Sequence, residues 1–165
     1  MKQAWAKMTA TVFYVGYMRP APGTWGSLAA LPLGYLIYAI GGVWLFVLAI
    51  PAAYFKGYIA TKSMTEGADN HDPSEIVIDE VVGQWIALLP VFVGASHANV
   101  NVFALWPGWI AAFVLFRLFD ITKPGPVGWA DRKDNATGVM LDDVIAGIMA
   151  AVCVMGLAAL WHGVT

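Results

Sequence analysis

Charge in this 165-residue chain is confined to three stretches, 1–19, 56–80 and 117–143, separated by two charge-free blocks of 36 residues and followed by one of 22. A helix rises about 1.5 Å per residue, so 36 residues in one helix would reach roughly 54 Å, against a hydrocarbon core of roughly 30 Å. Each long block is therefore expected to be a hairpin of two spans. The breaks fall at Gly41-Gly42 in the first block and at Ser96-His97-Ala98-Asn99 with Asn101 in the second. Residues 144–165 fit a single span. This grouping of two, two and one puts every charged segment on one side of the membrane, and that side holds all nine Lys and Arg. The positive-inside rule makes it the cytoplasmic side.

Composition agrees: the chain is 59% hydrophobic and 12% charged, with a mean hydropathy of +0.67. These values lie outside the soluble globular range and imply an integral membrane protein. The expected fold is all-α, a membrane bundle of about five short spans, with four as the alternative, behind an interfacial helix over residues 1–16. Stretches 28–40 and 102–116 are shorter than the roughly 17 to 25 residues that cross a bilayer comfortably, so local thinning or help from aromatic flanks is expected. Pro51 and Pro90 should kink or end their helices. With no internal repeat or linker, residues 1–165 read as one domain. A net charge of −2 gives no nucleic-acid footprint, and the single Cys153 excludes a disulfide or a thiolate metal cluster. Residues 1–19 lack the continuous apolar region of a removable signal peptide. The number of chains that associate stays open.

The eleven carboxylates gather at expected helix ends. In Asp72-Pro73-Ser74-Glu75-Ile76-Val77-Ile78-Asp79-Glu80-Val81-Val82-Gly83, the pair Asp79-Glu80 runs directly into an apolar span. A lone carboxylate at membrane depth costs about 2.5–3.5 kcal/mol, so such groups are usually paired or bind cations. The alternative is that Glu75 and Asp79 share a solvated helical face while Glu80 snorkels. In Arg117-Leu118-Phe119-Asp120-Ile121-Thr122-Lys123-Pro124, Arg117 and Asp120 should meet three residues apart, and Pro124 should push Lys123 out of the helix. Alternatively this is an ordinary cationic anchor with an internal ion pair. Gly138-Val139-Met140-Leu141-Asp142-Asp143 opens the last span, and Asp142 is placed to cap it, although capping needs only one Asp. Pro20-Ala21-Pro22-Gly23-Thr24-Trp25-Gly26-Ser27-Leu28 offers glycines for close approach, helix-start N–H groups for an anion, and the hydroxyls of Thr24 and Ser27.

The topology brings all four segments to one membrane face. Carboxylates from several helix ends suit Mg²⁺ or Mn²⁺ better than zinc, and nearby Lys and Arg suit phosphate. A metal beside an anion clamp at the lipid–water boundary points to chemistry on a phosphorylated lipid head group. Water aligned by such a metal could attack phosphorus. The chain has no Cys followed six residues later by Arg, no Asp-x-Asp-x-Thr/Val and no Asp-x-x-Asp-Gly run. A cation- or proton-coupled transporter is the competing reading, but the apolar blocks carry no charge at mid-depth for a relay.

The Pro22–Leu28, Ile76–Gly83, Arg117–Pro124 (with Pro126), Asp131-Arg132 and Met140–Asp143 blocks resemble those of the phosphatidylglycerophosphatase A family, over most of the chain from Pro22 to about Gly147. The resemblance implies an all-helical enzyme of the bacterial inner membrane. Such an enzyme uses Mg²⁺ to remove the terminal phosphate of a phospholipid substrate, phosphatidylglycerophosphate, from the cytoplasmic side. The acidic positions carried over are Asp72, Asp79, Glu80, Asp120, Asp142 and Asp143. Of these, Asp79, Glu80 and Asp143 are the leading metal ligands or bases, with Asp72 and Asp142 as further ligands and Asp120 as a further catalytic residue. Lys123 and Arg132 are the expected phosphate contacts, joined by Thr24 and Ser27.

Overall fold

The structure, a computed structural model, describes residues 2–66, 73–133 and 135–164. Among these it is helical throughout: α1 (Lys2–Ala10), α2 (Pro22–Thr65), α3 (Ile78–Ala98), α4 (Trp106–Thr122), α5 (Pro126–Asp131) and α6 (Ala136–Val164). Short 3-10 turns occupy Val15–Tyr17 and Val102–Leu105. Four helical stretches are long and apolar enough to cross a membrane. The 44-residue α2 is long enough to do so twice, because Gly41 and Gly42 leave helical geometry, Gly42 at φ 65°, a conformation that favours glycine. The chain doubles back there. A side chain at Gly34 would touch Phe46, and Gly26 and Gly57, from the two arms, both abut the start of α3 at Val77 and Ile78. The hairpin expected from the charge-free block is present, and the fold is an all-α membrane bundle.

The bundle is organised around α3. Of its most apolar window 56% is buried, against 11% in α2, 17% in stretch 102–122 and 22% in α6, so α3 is the central helix and the others face lipid. Lipid is as apolar as leucine, so membrane helices associate through close packing rather than exclusion from water. Here that packing is a glycine crossing between α3 and α6. A Cβ on Gly147 would collide with the Gly83 carbonyl oxygen, and one on Gly83 would sit 2.6 Å from the Asp143 carbonyl oxygen and against the Phe116 ring. Farther along α3, the buried Phe92 stacks on Tyr38 at 4.7 Å between ring centroids and meets Phe46 edge-on at 4.5 Å. Aromatic pairs of this kind are worth about 0.5–1.5 kcal/mol each beyond burial.

Three expectations need correction. The N-terminal helix stops at Ala10 rather than Gly16, because Val12, Phe13 and Tyr14 adopt positive φ. The reversal lets the Ala10 carbonyl accept a hydrogen bond from Val77 N–H at 2.9 Å and seats Gly16 against the Glu75 carbonyl. The spans are not short: the motif residues are themselves helical, so the first arm of α2 begins at Pro22 and the helical stretch 102–122 reaches 21 residues. Of the two outcomes expected at Pro51 and Pro90, the helix end does not occur: α2 and α3 each continue through the proline. Neighbouring helices in a bundle can support the backbone where proline removes a donor.

Candidate active site

The site begins with where α3 starts. The helix opens at Ile78, so Asp79 and Glu80 lie in its first turn, where carboxylates are favoured by the helix dipole. Asp79 is 6% exposed, and its Oδ1 accepts from the Glu80 N–H at 3.0 Å. Glu75 precedes the helix, so it shares no helical face with Asp79. Glu80 does not snorkel either: its Oε2 is buried and has no hydrogen-bond partner.

Helix α6 starts at Ala136, capped by Asn135, whose Oδ1 accepts from the N–H groups of Thr137 and Gly138 at 2.9 and 3.1 Å. Asp142 is therefore not the cap. It lies well inside the helix, and so does Asp143. That depth brings Asp143 to the glycine crossing, where its carboxylate joins those of Asp79 and Glu80. One oxygen from each of the three lies within 4.8 Å of the others. Asp143 is 3% exposed, and its Oδ1 has no hydrogen-bond partner.

Helix α4 brings the cations. Arg117 pairs with Asp120 at 2.6 Å, as their spacing predicts. Its Nη1 also donates to Ser27 Oγ at 3.4 Å, while Ser27 donates to the Gly23 carbonyl at 2.9 Å. Lys123 ends α4 with φ 46° and reaches both Asp131 and, at 3.3 Å, Asp142 Oδ2. Burial works against the Lys123 ammonium, but its hydrogen bond to Asp131 and the charge of Asp142 outweigh it and hold its pKa above the usual lysine value. An ammonium whose pKa is raised gives up its proton only as pH climbs past that value, so Lys123 stays cationic across the whole physiological range.

These groups line a pocket of about 270 Å³ together with Ala21, Pro22, Gly23, Ser74, Ile76 and Val139. Five carboxylates, Asp79, Glu80, Asp120, Asp142 and Asp143, face two cations, Arg117 and Lys123. The first turn of α2 closes one side, and Gly23 lets it come close: a Cβ there would strike Glu80 Oε1 unless that side chain moved. Converging acidic oxygens, two of them buried without partners, are costly unless a cation joins them. The donor set is all oxygen, which fits Mg²⁺ or Mn²⁺.

The phosphatidylglycerophosphatase A family model matches residues 8–158, which include the whole pocket. The chain belongs to the phosphatidylglycerophosphatase A family. Among its relatives, the phosphatidylglycerophosphatase A of Haemophilus influenzae is 37% identical over 151 residues, covering 91% of this chain and 86% of that protein. The Escherichia coli phosphatidylglycerophosphatase A is 35% identical over 154 residues, 92% of this chain and 81% of that protein. A Bacteroides thetaiotaomicron protein named "Putative phosphatidylinositol-3-phosphatase" is 35% identical over 151 residues, 89% of each chain. No solved structure matches. Membership of the phosphatidylglycerophosphatase A family makes the chain a phosphatase, a phosphoric monoester hydrolase.

The family's blocks converge unevenly. Asp79, Glu80, Asp120, Lys123, Asp142 and Asp143 all line the pocket, but Asp142 is engaged by Lys123 and by the Asp143 N–H rather than standing with the acidic trio. Ser27 sits behind Arg117 and positions it. Thr24, on the first turn of α2, and Arg132, exposed at the end of α5, lie outside the pocket lining. Asp72 falls outside the described residues. The two cations in the lining are Lys123, an expected phosphate contact, and Arg117, whereas Arg132 stands outside it. The signal for Arg117 was its i,i+3 spacing from Asp120. Asn135 as the cap was also readable, since Asn is among the strongest N-cap residues.

Proposed function

We propose that this phosphatase hydrolyses the terminal phosphate of phosphatidylglycerophosphate with Mg²⁺, giving phosphatidylglycerol at the cytoplasmic face of the bacterial inner membrane. The observation that carries the reading is the acidic trio Asp79, Glu80 and Asp143, converging within 4.8 Å beside Arg117 and Lys123 at one end of a membrane bundle. The names of two relatives supply the lipid.

Asp79, Glu80 and Asp143 would hold the cation. Bound there, it would neutralise phosphate charge and lower the pKa of a water. The chain's own residues do the rest. Arg117, kept in place by Asp120 and Ser27, presents its guanidinium to the phosphate oxygens, and Lys123 adds a second positive charge. Each carboxylate of the trio has two oxygens, so one that the cation does not take up is available to accept the proton of the attacking water. Water adds to phosphorus, the bond from phosphorus to the glycerol oxygen breaks, and that oxygen receives the proton the carboxylate took from the water. The burial of the trio favours this chemistry, because charge interactions strengthen where water is excluded. A transporter reading finds no support, since the carboxylates gather at one end and the far ends of α3, α4 and α6 carry no Asp, Glu, Lys or Arg.

Phosphate release from phosphatidylglycerophosphate in detergent micelles tests the reading: turnover with Mg²⁺, abolished by chelator, is expected. Folded protein that releases no phosphate with either Mg²⁺ or Mn²⁺ overturns it. Phosphatidylinositol 3-phosphate belongs in the same assay, because faster release from that lipid would reassign the substrate. For orientation, Trp44→Cys in a Cys153→Ala background should label from the periplasmic side, and labelling from the cytoplasm alone would invert the topology.

A further inference from the structure

The pocket poses a charge problem for the substrate just proposed. Phosphatidylglycerophosphate carries two phosphates, a terminal monoester and a diester that joins the head group to the lipid. The two cations lining the pocket are already matched: Arg117 by Asp120, and Lys123 by Asp131 and Asp142. Arg117 keeps its buried Nε without a hydrogen-bond partner, and with five carboxylates in the lining the two cations serve one phosphate, with none left over for a second.

Just outside the lining lies a cation in a different condition. Arg19 is exposed and donates from Nη1 to Ser74 Oγ at 3.4 Å, and Ser74 is itself a lining residue. Among the described residues Arg19 has no carboxylate partner. Ala21, two residues on, lines the pocket, and Pro22 begins the first arm of α2. Arg19 therefore stands at the pocket rim, at the point where the chain enters the membrane. Arginine side chains near the ends of membrane helices reach toward the head-group level, where lipid diester phosphates lie. A guanidinium presents several N–H donors in a planar fork that matches phosphate oxygens, and it is less strongly hydrated than an ammonium.

We propose that Arg19, held at the rim by Ser74, binds the diester phosphate of the substrate and so selects lipids with two phosphates over lipids with one. The inference rests on the phosphatase reading above: the terminal phosphate occupies the pocket between Arg117 and Lys123, and the diester reaches back to Arg19. Arg19 is thus a specificity residue that acts on binding rather than on the reacting phosphate.

The test uses the full-length protein in uncharged detergent micelles, with wild type, Arg19→Gln and Arg19→Lys compared on phosphatidylglycerophosphate. Phosphatidic acid, which has one phosphate and no diester, is read in the same micelles as a competitor. Arg19→Gln should raise KM for phosphatidylglycerophosphate about tenfold with kcat retained, and Arg19→Lys should recover part of the loss. The inhibition constant of phosphatidic acid should not move. An unmoved KM in Arg19→Gln overturns the proposal. So does an equal weakening of both lipids, which would make Arg19 a general anchor for anionic interfaces. Wild type that fails to hydrolyse phosphatidylglycerophosphate refutes the phosphatase reading, a different outcome from wild-type turnover that is indifferent to Arg19.

Discussion

At one end of the bundle, carboxylates from α3 and α6 converge within 4.8 Å, while at the other end Ile40, Trp44, Trp106 and Trp161 are between 62% and 78% exposed. The same helices build both ends. At the site end, the contact of Gly83 with Gly147 brings two backbones together and forces Asp79, Glu80 and Asp143 into one space. At the far end large aromatic side chains project outward, as interfacial belts do. The site end therefore accepts buried oxygens of Glu80 and Asp143 without hydrogen-bond partners for the sake of chemistry, and the far end only holds the helices at the right depth. Substitutions should accordingly be costly in activity at one end and nearly silent at the other.

The largest effect is expected at the trio. Asp143→Asn keeps the volume of the side chain but removes its charge, and should lower kcat/KM about a thousandfold, roughly 4 kcal/mol of transition-state stabilisation. The melting temperature in detergent should hold or rise, because burying an amide costs less than burying a carboxylate that leaves one oxygen without a partner. A variant with near-normal turnover would break the contrast between the two ends.

Next comes the crossing that creates the trio. Gly83→Val places methyl groups where the Phe116 ring and the Asp143 backbone already stand. Overpacking of this kind costs about 1–3 kcal/mol. Here it should also separate α3 from α6, so a lower melting temperature and about a hundredfold loss of activity are expected together. Activity retained at a lowered melting temperature would show that the carboxylates keep their places without the close approach.

Much of this division was legible in the chain before any coordinates. The partition of charge gave the hairpins, Gly41-Gly42 gave the reversal, and the three-residue spacing of Arg117 from Asp120 gave an ion pair, because each depends only on local geometry. The acidic doublet Asp142-Asp143 drew the helix start toward itself, although Asn135 is the cap, and the two Asp consequently lie deeper than a capping role allows. Their division of labour could not be read locally. Asp142 is held by Lys123 and Asp143 by the neighbourhood of α3, and that outcome depends on how α4, α5 and α6 pack. The same holds for Ser27, whose role behind Arg117 joins residues 90 apart.

Ser27 supplies a smaller effect that sharpens the boundary of the site. Ser27→Ala removes the hydroxyl that steadies the Arg117 guanidinium but leaves the Asp120 pair in place. One such hydrogen bond is worth about 1 kcal/mol, so kcat/KM should fall about fivefold. A loss as large as that from Asp143→Asn would instead put the hydroxyl in contact with the substrate.

The smallest effect should lie at Trp44, which is 78% exposed just past the Gly41-Gly42 reversal. Its ring contributes depth anchoring and no packing against the core, so Trp44→Leu keeps an apolar surface and loses only the interfacial preference of the indole. Stability in detergent should change by less than about 0.5 kcal/mol and turnover by less than about twofold, as for a surface site. Detergent is the decisive medium for this variant, because it removes the bilayer whose thickness the belt reads. If Trp44→Leu is silent in micelles but slower in a bilayer, the far end acts on the site only by setting how deep the carboxylates sit. If it is slow in both, the two ends are coupled through the hairpin, and the independence inferred from their different construction is lost.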